Sequence, residues 1–326
     1  MSAHSLVLVV NPFATRVTQA KLVAVQETLA RVTEPRILLT ERPGHATDLV
    51  TGACRAGADA IVVFSGDGGF NEALNGLDRD IPIGFLPGGG TSVLSRALGL
   101  PPDAVRAAEQ VADALAQERT RRITVGRVNG RRFAFGAGIG LDAEAVRLVD
   151  RMGRTDEGKR PGDLAFAFAI LRSLAATRGH MEPQLEVKGF GRAAFAVIAN
   201  GSPYTYAKRI PLPIAPEAQF ELGLDLVAPV RVRRRSLVHT ATSVLTGRVQ
   251  NRGEMLYGHD LDRLEIVCDA PMPLHADGED LGDVREVTIE AERGAVSVLY
   301  SPDWTIPEWS ASLAACRRRG QPRSRS

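Results

Sequence analysis

Between Ala60 and Thr91 the chain runs apolar strand, glycine loop, short helix, apolar strand, glycine loop, as "AIVVFSGDGGFNEALNGL" and then "IPIGFLPGGGT". An apolar β-branched run that ends in Ser65-Gly66-Asp67-Gly68-Gly69 and enters a helix fits a parallel sheet with helical crossovers. Ligands of such sheets bind outside the carboxyl ends of the strands. Glycines there let the backbone take conformations closed to other residues and let an oxygen approach N–H groups. The following helix adds its positive end. One such loop could also be a tight strand-to-helix turn. Two of them, one helix and one strand apart, lie on one sheet edge and face one crevice. With the "NPFATR" turn after the first strand they make three backbone cradles for one polyphosphate.

The rest of the first hundred residues agrees. Leu6 to Val10 reads as a strand, Ala20 to Val32 as an amphipathic helix, and Arg36 to Thr40 as a second strand. "HATDLVTGACRAG" reads as a helix closing at Gly57, with His45 at its start, and Asp103 to Glu118 as a strongly periodic helix. From about Arg122 the pattern changes to short strands. Asn129-Gly130 is a hairpin signal, and strands follow at Gln184 to Val187, Ala193 to Asn200, Gly223 to Val227, Arg263 to Cys268, Glu286 to Ala291 and Ala295 to Tyr300. A helical insertion spans roughly Ala143 to Thr177. The expected fold is α/β: a doubly wound parallel sheet over residues 1–122, then a β-rich, sandwich-like domain over 123–301. Residues after about 302 are expected to pack back on the first domain, and 317–326 to be a disordered basic tail.

Bulk properties exclude more than they suggest. Forty Lys and Arg against 38 Asp and Glu leave a net charge of +2, which gives no reason to expect a nucleic-acid partner. Basic residues concentrate at Arg231, Arg233, Arg234 and Arg235 and in the last ten residues, five of them arginine. Such a tail solubilises, or is drawn to an anionic membrane surface. Cys54, Cys268 and Cys316 form no CxxC and no even disulfide set, which fits a reducing cytoplasm. The start lacks the pattern of a signal peptide, and "LAFAFAILRSLAA", Leu164 to Ala176, is too short and too charged to span a bilayer. No HExxH and no GxSxG occurs. The expected protein is soluble and cytoplasmic.

These residues also carry a family resemblance. "SGDGGFNEALNGL" resembles the GGDGTxNE signature of the diacylglycerol kinase catalytic domain, a superfamily that includes sphingosine kinases and bacterial lipid kinases. "LPGGGTSVLSRALGLP" is similar to its PGGTxND…AR…LGLP pattern, "NPFATR" to its NPxSGK turn and "TERPGHATDLV" to its TxxxGHA segment. "GIGLDAEAV" resembles its central segment, and "HADGEDLG" its DGE motif. The matches run in order from residue 6 to about 300. The resemblance implies phosphoryl transfer from ATP with Mg²⁺ to a lipid hydroxyl at the membrane surface, between the two domains. Asp67 would help hold Mg²⁺ and the nucleotide phosphates, and Glu279 would be the general base. Asn11, Arg16, Thr40, Ser65, Gly66, Gly68, Gly69, Asn71, Glu72, Gly89, Gly90, Thr91 and Ser92 carry over as nucleotide-site residues. The implied location is cytoplasmic, with peripheral attachment at the inner membrane face and a homodimer both left open.

This chain also departs from the pattern. Ser65 stands where the family has Gly, and Gly69 where it has Thr. Gly90 likewise replaces a Thr and Ser92 an Asn, while Thr91 and Ser92 return two hydroxyls nearby. Several bacterial relatives hold a structural Mg²⁺ around an Asp-Gly pair. Here "FELGLDL" has Leu222-Gly223 flanked by Glu221 and Asp225, so that site is doubtful. Three rival readings stand beside the lipid kinase. One is an NAD kinase-like phosphotransferase. Another is a catalytically weakened nucleotide- or lipid-binding relative. The third is a Rossmann dehydrogenase using Gly138, Gly140 and Ala143, weakened because the preceding strand belongs to a hairpin. Which lipid accepts the phosphate is not readable from apolar segments.

Overall fold

The computed structural model describes residues 5–90, 92–151, 180–207, 210–233 and 254–300. Thr91, Arg234, Arg235, Cys316, the segment from Leu164 to Ala176, most of the expected helical insertion, and everything after Tyr300 fall outside them. The first lobe is built from β1 (Leu6–Val10), α1 (Gln19–Ala30), β2 (Arg36–Leu39), α2 (His45–Arg55), β3 (Ala60–Ser65), α3 (Asp67–Gly76), β4 (Ile83–Pro87), α4 (Val93–Ala97) and α5 (Ala104–Ala116). Its strands pair in parallel in the order β2-β1-β3-β4. Along β1, Leu6, Leu8 and Val10 enter the core shared with α1 and α5, while Val7 and Val9 enter the core shared with α2 and α3. Both faces are covered, so the strand is apolar at every position rather than at every second one.

Helix starts follow local chemistry. Thr18 caps α1 by accepting from the Lys21 N–H at 3.3 Å, and Asp103 caps α5 by accepting from Val105 and Arg106 at 3.1 Å each. Alanines 104, 107, 108 and 112 line the buried side of α5 and let it lie close on the sheet. The parallel pairing brings the ends of β1, β3 and β4, with the turn that begins at Asn11 and the two glycine loops, to one edge of the sheet.

The second lobe comprises β5 (Thr120–Val128), β6 (Arg131–Phe133), β7 (Gly136–Ile139), α6 (Leu141–Arg151), β8 (Leu185–Val187), β9 (Gly191–Ala193), β10 (Ala196–Ala199), β11 (Thr205–Ala207), β12 (Ile210–Leu212), β13 (Leu224–Pro229), β14 (Met255–Leu261), β15 (Arg263–Ala276) and β16 (Glu279–Leu299). Asn129 and Gly130, both at positive φ, turn β5 into β6 as the Asn-Gly pair predicts. The order β14-β13-β10-β7-β15-β16 is antiparallel throughout.

Several elements differ from the sequence expectation: Ala193 to Asn200 reads as one strand but divides between β9 and β10, and β11, β12 and β14 have no counterpart among the expected strands. Glu286 to Ala291 and Ala295 to Tyr300 read as separate strands, but both lie on the single 21-residue strand β16. The break is a register shift against β5 between Glu292 and Val296, where Gly294 takes φ +54°. Val287 and Ile289 of this strand pack in the second lobe, whereas Val296, Val298 and Leu299 pack in the first. Val298 also pairs in parallel with Ile83 of β4, so the two sheets are continuous.

Candidate active site

The two glycine loops touch at Gly66 and Gly89 through backbone atoms. A Cβ on Gly89 would lie 2.9 Å from the Gly66 Cα, and one on Gly66 would lie 3.3 Å from the Gly89 Cα. No side chain fits between them. The Gly88 N–H donates to the Ser65 carbonyl at 2.7 Å. The third loop joins through Arg16, whose N–H donates to the Gly88 carbonyl at 2.9 Å, and through Asn11, whose N–H donates to the Phe64 carbonyl at 3.0 Å. The three cradles expected from sequence therefore meet. Asn11 also accepts from the Phe13 N–H at 3.0 Å and closes its turn, while the Arg16 side chain is exposed with no acidic partner among the described residues. Thr40, buried at the end of β2, donates its N–H to Val10 at 2.9 Å.

Gly66 is the N-cap of α3 and supplies no side chain. The N–H groups of Gly68 and Gly69 have no acceptor among the described residues. A helix start of this kind attracts an anion. Ser65 stands directly behind it, 2 % exposed, with its hydroxyl unpartnered among the described residues. A Cβ on Gly69 would lie 2.1 Å from that hydroxyl oxygen. Ser65 thus fills the place a side chain at 69 would take, and the two departures from the motif are one exchange of position. Gly90 differs, because a Cβ there would meet nothing within 4 Å. The Ser92 hydroxyl donates to the Gly89 carbonyl at 3.2 Å and stays within its own loop.

Asp67 clips the loops together. Its carboxylate accepts from the N–H groups of Val93 at 2.9 Å and Leu94 at 3.0 Å, at the start of α4. Burial pushes its carboxyl up to about 6, against the lowering pull of those two bonds. Glu72 faces elsewhere. Its oxygens accept from the Gly44 and Ala46 N–H groups at 2.9 and 3.1 Å, so it caps α2 rather than the glycine loops. His45 begins α2, as its position in "PGHATD" suggests, and its Nδ1 accepts from the Glu41 N–H at 3.1 Å.

The second lobe delivers its Asp-Gly-Glu segment to the same place. Asp277 and Gly278, at φ +47° and +77°, are the two-residue turn between β15 and β16, with Ala276 paired to Glu279. Asp277 is buried, and its carboxylate accepts from the N–H groups of Ala134, Phe135 and Gly136 and from the Asn71 side-chain amide, at 2.6 to 3.1 Å. Asn71 is therefore a strut between lobes, and its own Oδ1 accepts from Arg131 at 2.7 Å. Arg131 also pairs with Glu279. The Glu279 Oε1 lies 3.9 Å from the position a Cβ on Gly68 would occupy. A carboxylate and a guanidinium from the second lobe thus stand at the first turns of α3, one near Gly68 and the other on Asn71. Arg131 was not singled out from sequence, because a cation in a hairpin reads as surface. Truncating Asp277 to alanine would strand its buried donors. It is expected to reduce stability by about 3 kcal/mol, measured by urea unfolding, and an unchanged midpoint would contradict the clasp.

Two other sequence features resolve differently. The glycines of "GAGIGLDA" make room for side chains: Tyr204 sits where a Cβ on Gly136 would go, and Asp142 and His275 where one on Gly138 would go. β7 is an inner antiparallel strand, so this is not a dinucleotide loop. Glu221 pairs with Arg121, and Asp225 accepts from the Tyr257 hydroxyl and the Asp260 N–H and contacts His259. Neither carboxylate faces the other in a ligand set. Among the described residues no group of three or more His, Cys, Asp or Glu side chains could hold a metal ion, and no helix is long and apolar enough to cross a membrane.

A parallel sheet with abutting glycine loops, joined to a sandwich that sets a carboxylate at their rim, defines a two-lobed protein of the diacylglycerol kinase and NAD kinase type. Residues 5–128 match the diacylglycerol kinase catalytic domain, and residues 136–300 match the YegS C-terminal NAD kinase beta sandwich-like domain. The chain belongs to the diacylglycerol kinase family. It is 29% identical over 244 residues to a diacylglycerol kinase of Bacillus subtilis, covering 72% of this chain and 76% of that one. Its fold is that of a diacylglycerol kinase of Bacillus anthracis, with a TM-score of 0.69 at 19% identity, over 94% of this chain and all of the other. An NAD kinase of Archaeoglobus fulgidus, solved in complex with ATP, shares the fold more distantly, at a TM-score of 0.51 and 14% identity over 96% of this chain and 98% of that one.

Proposed function

We propose that this chain transfers the γ-phosphate of ATP to the hydroxyl of a diacylglycerol-like lipid presented at a membrane surface, in the cleft between the α3 start and the Asp277-Gly278 turn. The observation that carries this reading is the approach of Glu279 to Gly68, which sets a proton acceptor beside amides free to bind a phosphate. The phosphates fit, because the backbone contact of Gly66 with Gly89 and, among the described residues, the free Gly68 and Gly69 N–H groups and the unpartnered Ser65 hydroxyl form a cradle with donors and no bulk. ATP supplies the transferable group, and its magnesium neutralises the phosphate charge. Mg²⁺ is commonly held by one or two carboxylates plus phosphate oxygens, and Asp67 is the carboxylate at hand.

The protein's part is positioning and proton removal. The α3 amides orient the phosphate oxygens. Arg131 holds the Glu279 carboxylate and adds positive charge beside the cradle. Glu279 accepts the proton of the attacking lipid hydroxyl. Incubating the purified chain with Mg-ATP and vesicles of phosphatidylglycerol containing diacylglycerol should yield phosphatidic acid. A phosphorylated NAD product instead, from the same mixture with NAD added, would move the assignment to the NAD kinase reading.

Asp67 sets a pH dependence. Its raised carboxyl protonates as pH falls through about 6, so Mg-nucleotide affinity should weaken between pH 7 and pH 5. Asp67→Asn should flatten that slope. Titration calorimetry of both proteins would decide, and equal slopes would remove Asp67 from the magnesium site. On stability the sign is opposite. A carboxyl raised in the fold contributes fully below about pH 4 and loses its contribution as pH rises through about 6.

A further inference from the structure

Helix α6 touches both flanks of the turn that presents Glu279. On the strand before the turn, Asp142 accepts from the Tyr204 hydroxyl at 2.6 Å and lies 2.7 Å from the His275 Nε2. All three side chains are buried. The other ring nitrogen of His275, Nδ1, accepts from the Gly278 N–H at 3.4 Å, inside the turn itself. On the strand after the turn, Arg147 donates from Nε and Nη2 to the two oxygens of Asp280 at 2.9 and 3.0 Å, and from Nη2 to Asp283 at 2.7 Å. Asp142 and Arg147 sit five positions apart on one helix. One secures residue 275 and the other residue 280, with Glu279 between.

Several observations mark this as a built arrangement. Arg147 meets Asp280 as a planar fork on a carboxylate, the geometry that fixes direction as well as distance. Its side chain is only 17% exposed, unlike the exposed ion pairs along the outer face of β15 and β16. The pairing holds the Asp280 carboxyl below its usual range, the Arg147 hydrogen bonds being the main cause. Burial alone would raise Asp142, and the His275 imidazole and Tyr204 hydroxyl outweigh it. Gly138 has no side chain because one would collide with Asp142 and His275.

We infer that α6 is a two-point brace that aims the Glu279 carboxylate, with Arg147 as its main positioning residue. The inference rests on the role proposed above for Glu279. A carboxylate displaced by about 1 Å from the attacking hydroxyl forfeits a large part of its effect, on the order of 100-fold. Among the described residues Arg147 bonds to Asp280 and Asp283 and to neither glycine loop, so its loss should act on turnover and not on ATP binding.

The test uses the full chain as Arg147→Met, Arg147→Lys and, as a remote control, Arg263→Met, whose surface pair with Glu290 lies far along the hairpin. Two readouts are taken: lipid phosphorylation kinetics on the vesicles named above, and deuterium uptake by residues 275–283 in the absence of substrate. Arg147→Met should lower kcat at least tenfold with the KM for ATP within twofold, and should raise exchange at the turn at least tenfold. Arg147→Lys, which keeps the charge and loses the fork, should recover part of both, and it serves if the Met variant does not fold. Combined with Glu279→Gln, neither should reduce turnover further. Unchanged exchange, a normal kcat, or an equal additional loss in the Glu279→Gln background would each overturn the brace. If the wild type phosphorylates no lipid, the kinase reading fails, and exchange at the turn alone decides whether α6 holds it.

Discussion

Glu279→Gln should lower lipid phosphorylation by about 10² to 10⁴-fold while leaving the fold and nucleotide binding in place. The substitution keeps the length of the side chain and one oxygen able to accept from Arg131, so the turn has no reason to move. What it loses is the capacity to take a proton. General-base catalysis is worth about 10² to 10⁴-fold, and the loss should fall in that range. The readout is transfer of labelled phosphate from ATP to lipid, with nucleotide affinity measured separately and expected to stay within about twofold of the wild type, because removing only a transition-state interaction lowers turnover without weakening ground-state binding. Turnover at the wild-type rate would show that the base lies elsewhere, whatever the position of this carboxylate beside Gly68.

Gly69→Thr, which installs the residue the family motif carries, should damage this protein. Its Cβ would lie 2.1 Å from the Ser65 hydroxyl oxygen and 2.8 Å from the Ser65 Cβ. Overpacking of this kind costs about 1 to 3 kcal/mol. It would also push the first turn of α3 out of register with the phosphates, and turnover should fall roughly 100-fold. Ser65→Gly in the same molecule vacates the contested space and moves the hydroxyl to the motif's usual residue. The double variant should regain at least tenfold of the loss, a coupling expected only between residues in contact. Gly90→Thr faces open space and should change activity by no more than about threefold. Equal activities of Gly69→Thr and the double variant would refute the exchange.

The sheet and its loops were legible because they rest on local chemistry. Uninterrupted apolar runs meant strands covered on both faces, glycine clusters after them meant backbone approach, and Asn129-Gly130 meant a hairpin. The Asp277-Gly278 pair, taken without the family, reads first as an ordinary hairpin turn, and it is one. Only the family resemblance separated that turn from the many that do nothing. Side-chain destinations were less legible. Glu72 and Asn71 sit in the motif beside Asp67, yet one caps α2 and the other crosses to Asp277, because capping and clasping depend on neighbours far away in sequence. Arg131 and Arg147 carried no signal, since an arginine's partner is set by tertiary placement. The exchange of Ser65 with Gly69 was visible only as two mismatches until the space between them could be seen.

The 21-residue strand β16 also bears on how the protein is made. The core between the parallel sheet and α2 and α3 draws on residues 7 to 98, takes in Ile123, Val125, Ala134 and Phe220 from later in the chain, and is completed by Val296 and Val298. Domains emerging from the ribosome tend to fold as units, the amino-terminal one first. Here the amino-terminal sheet waits for nearly three hundred residues of translation before its last buried side chains arrive. The parallel-sheet lobe is thus finished by the same strand that carries Glu279 at its other end, and a nascent chain with that core complete already has the Asp277-Gly278 turn.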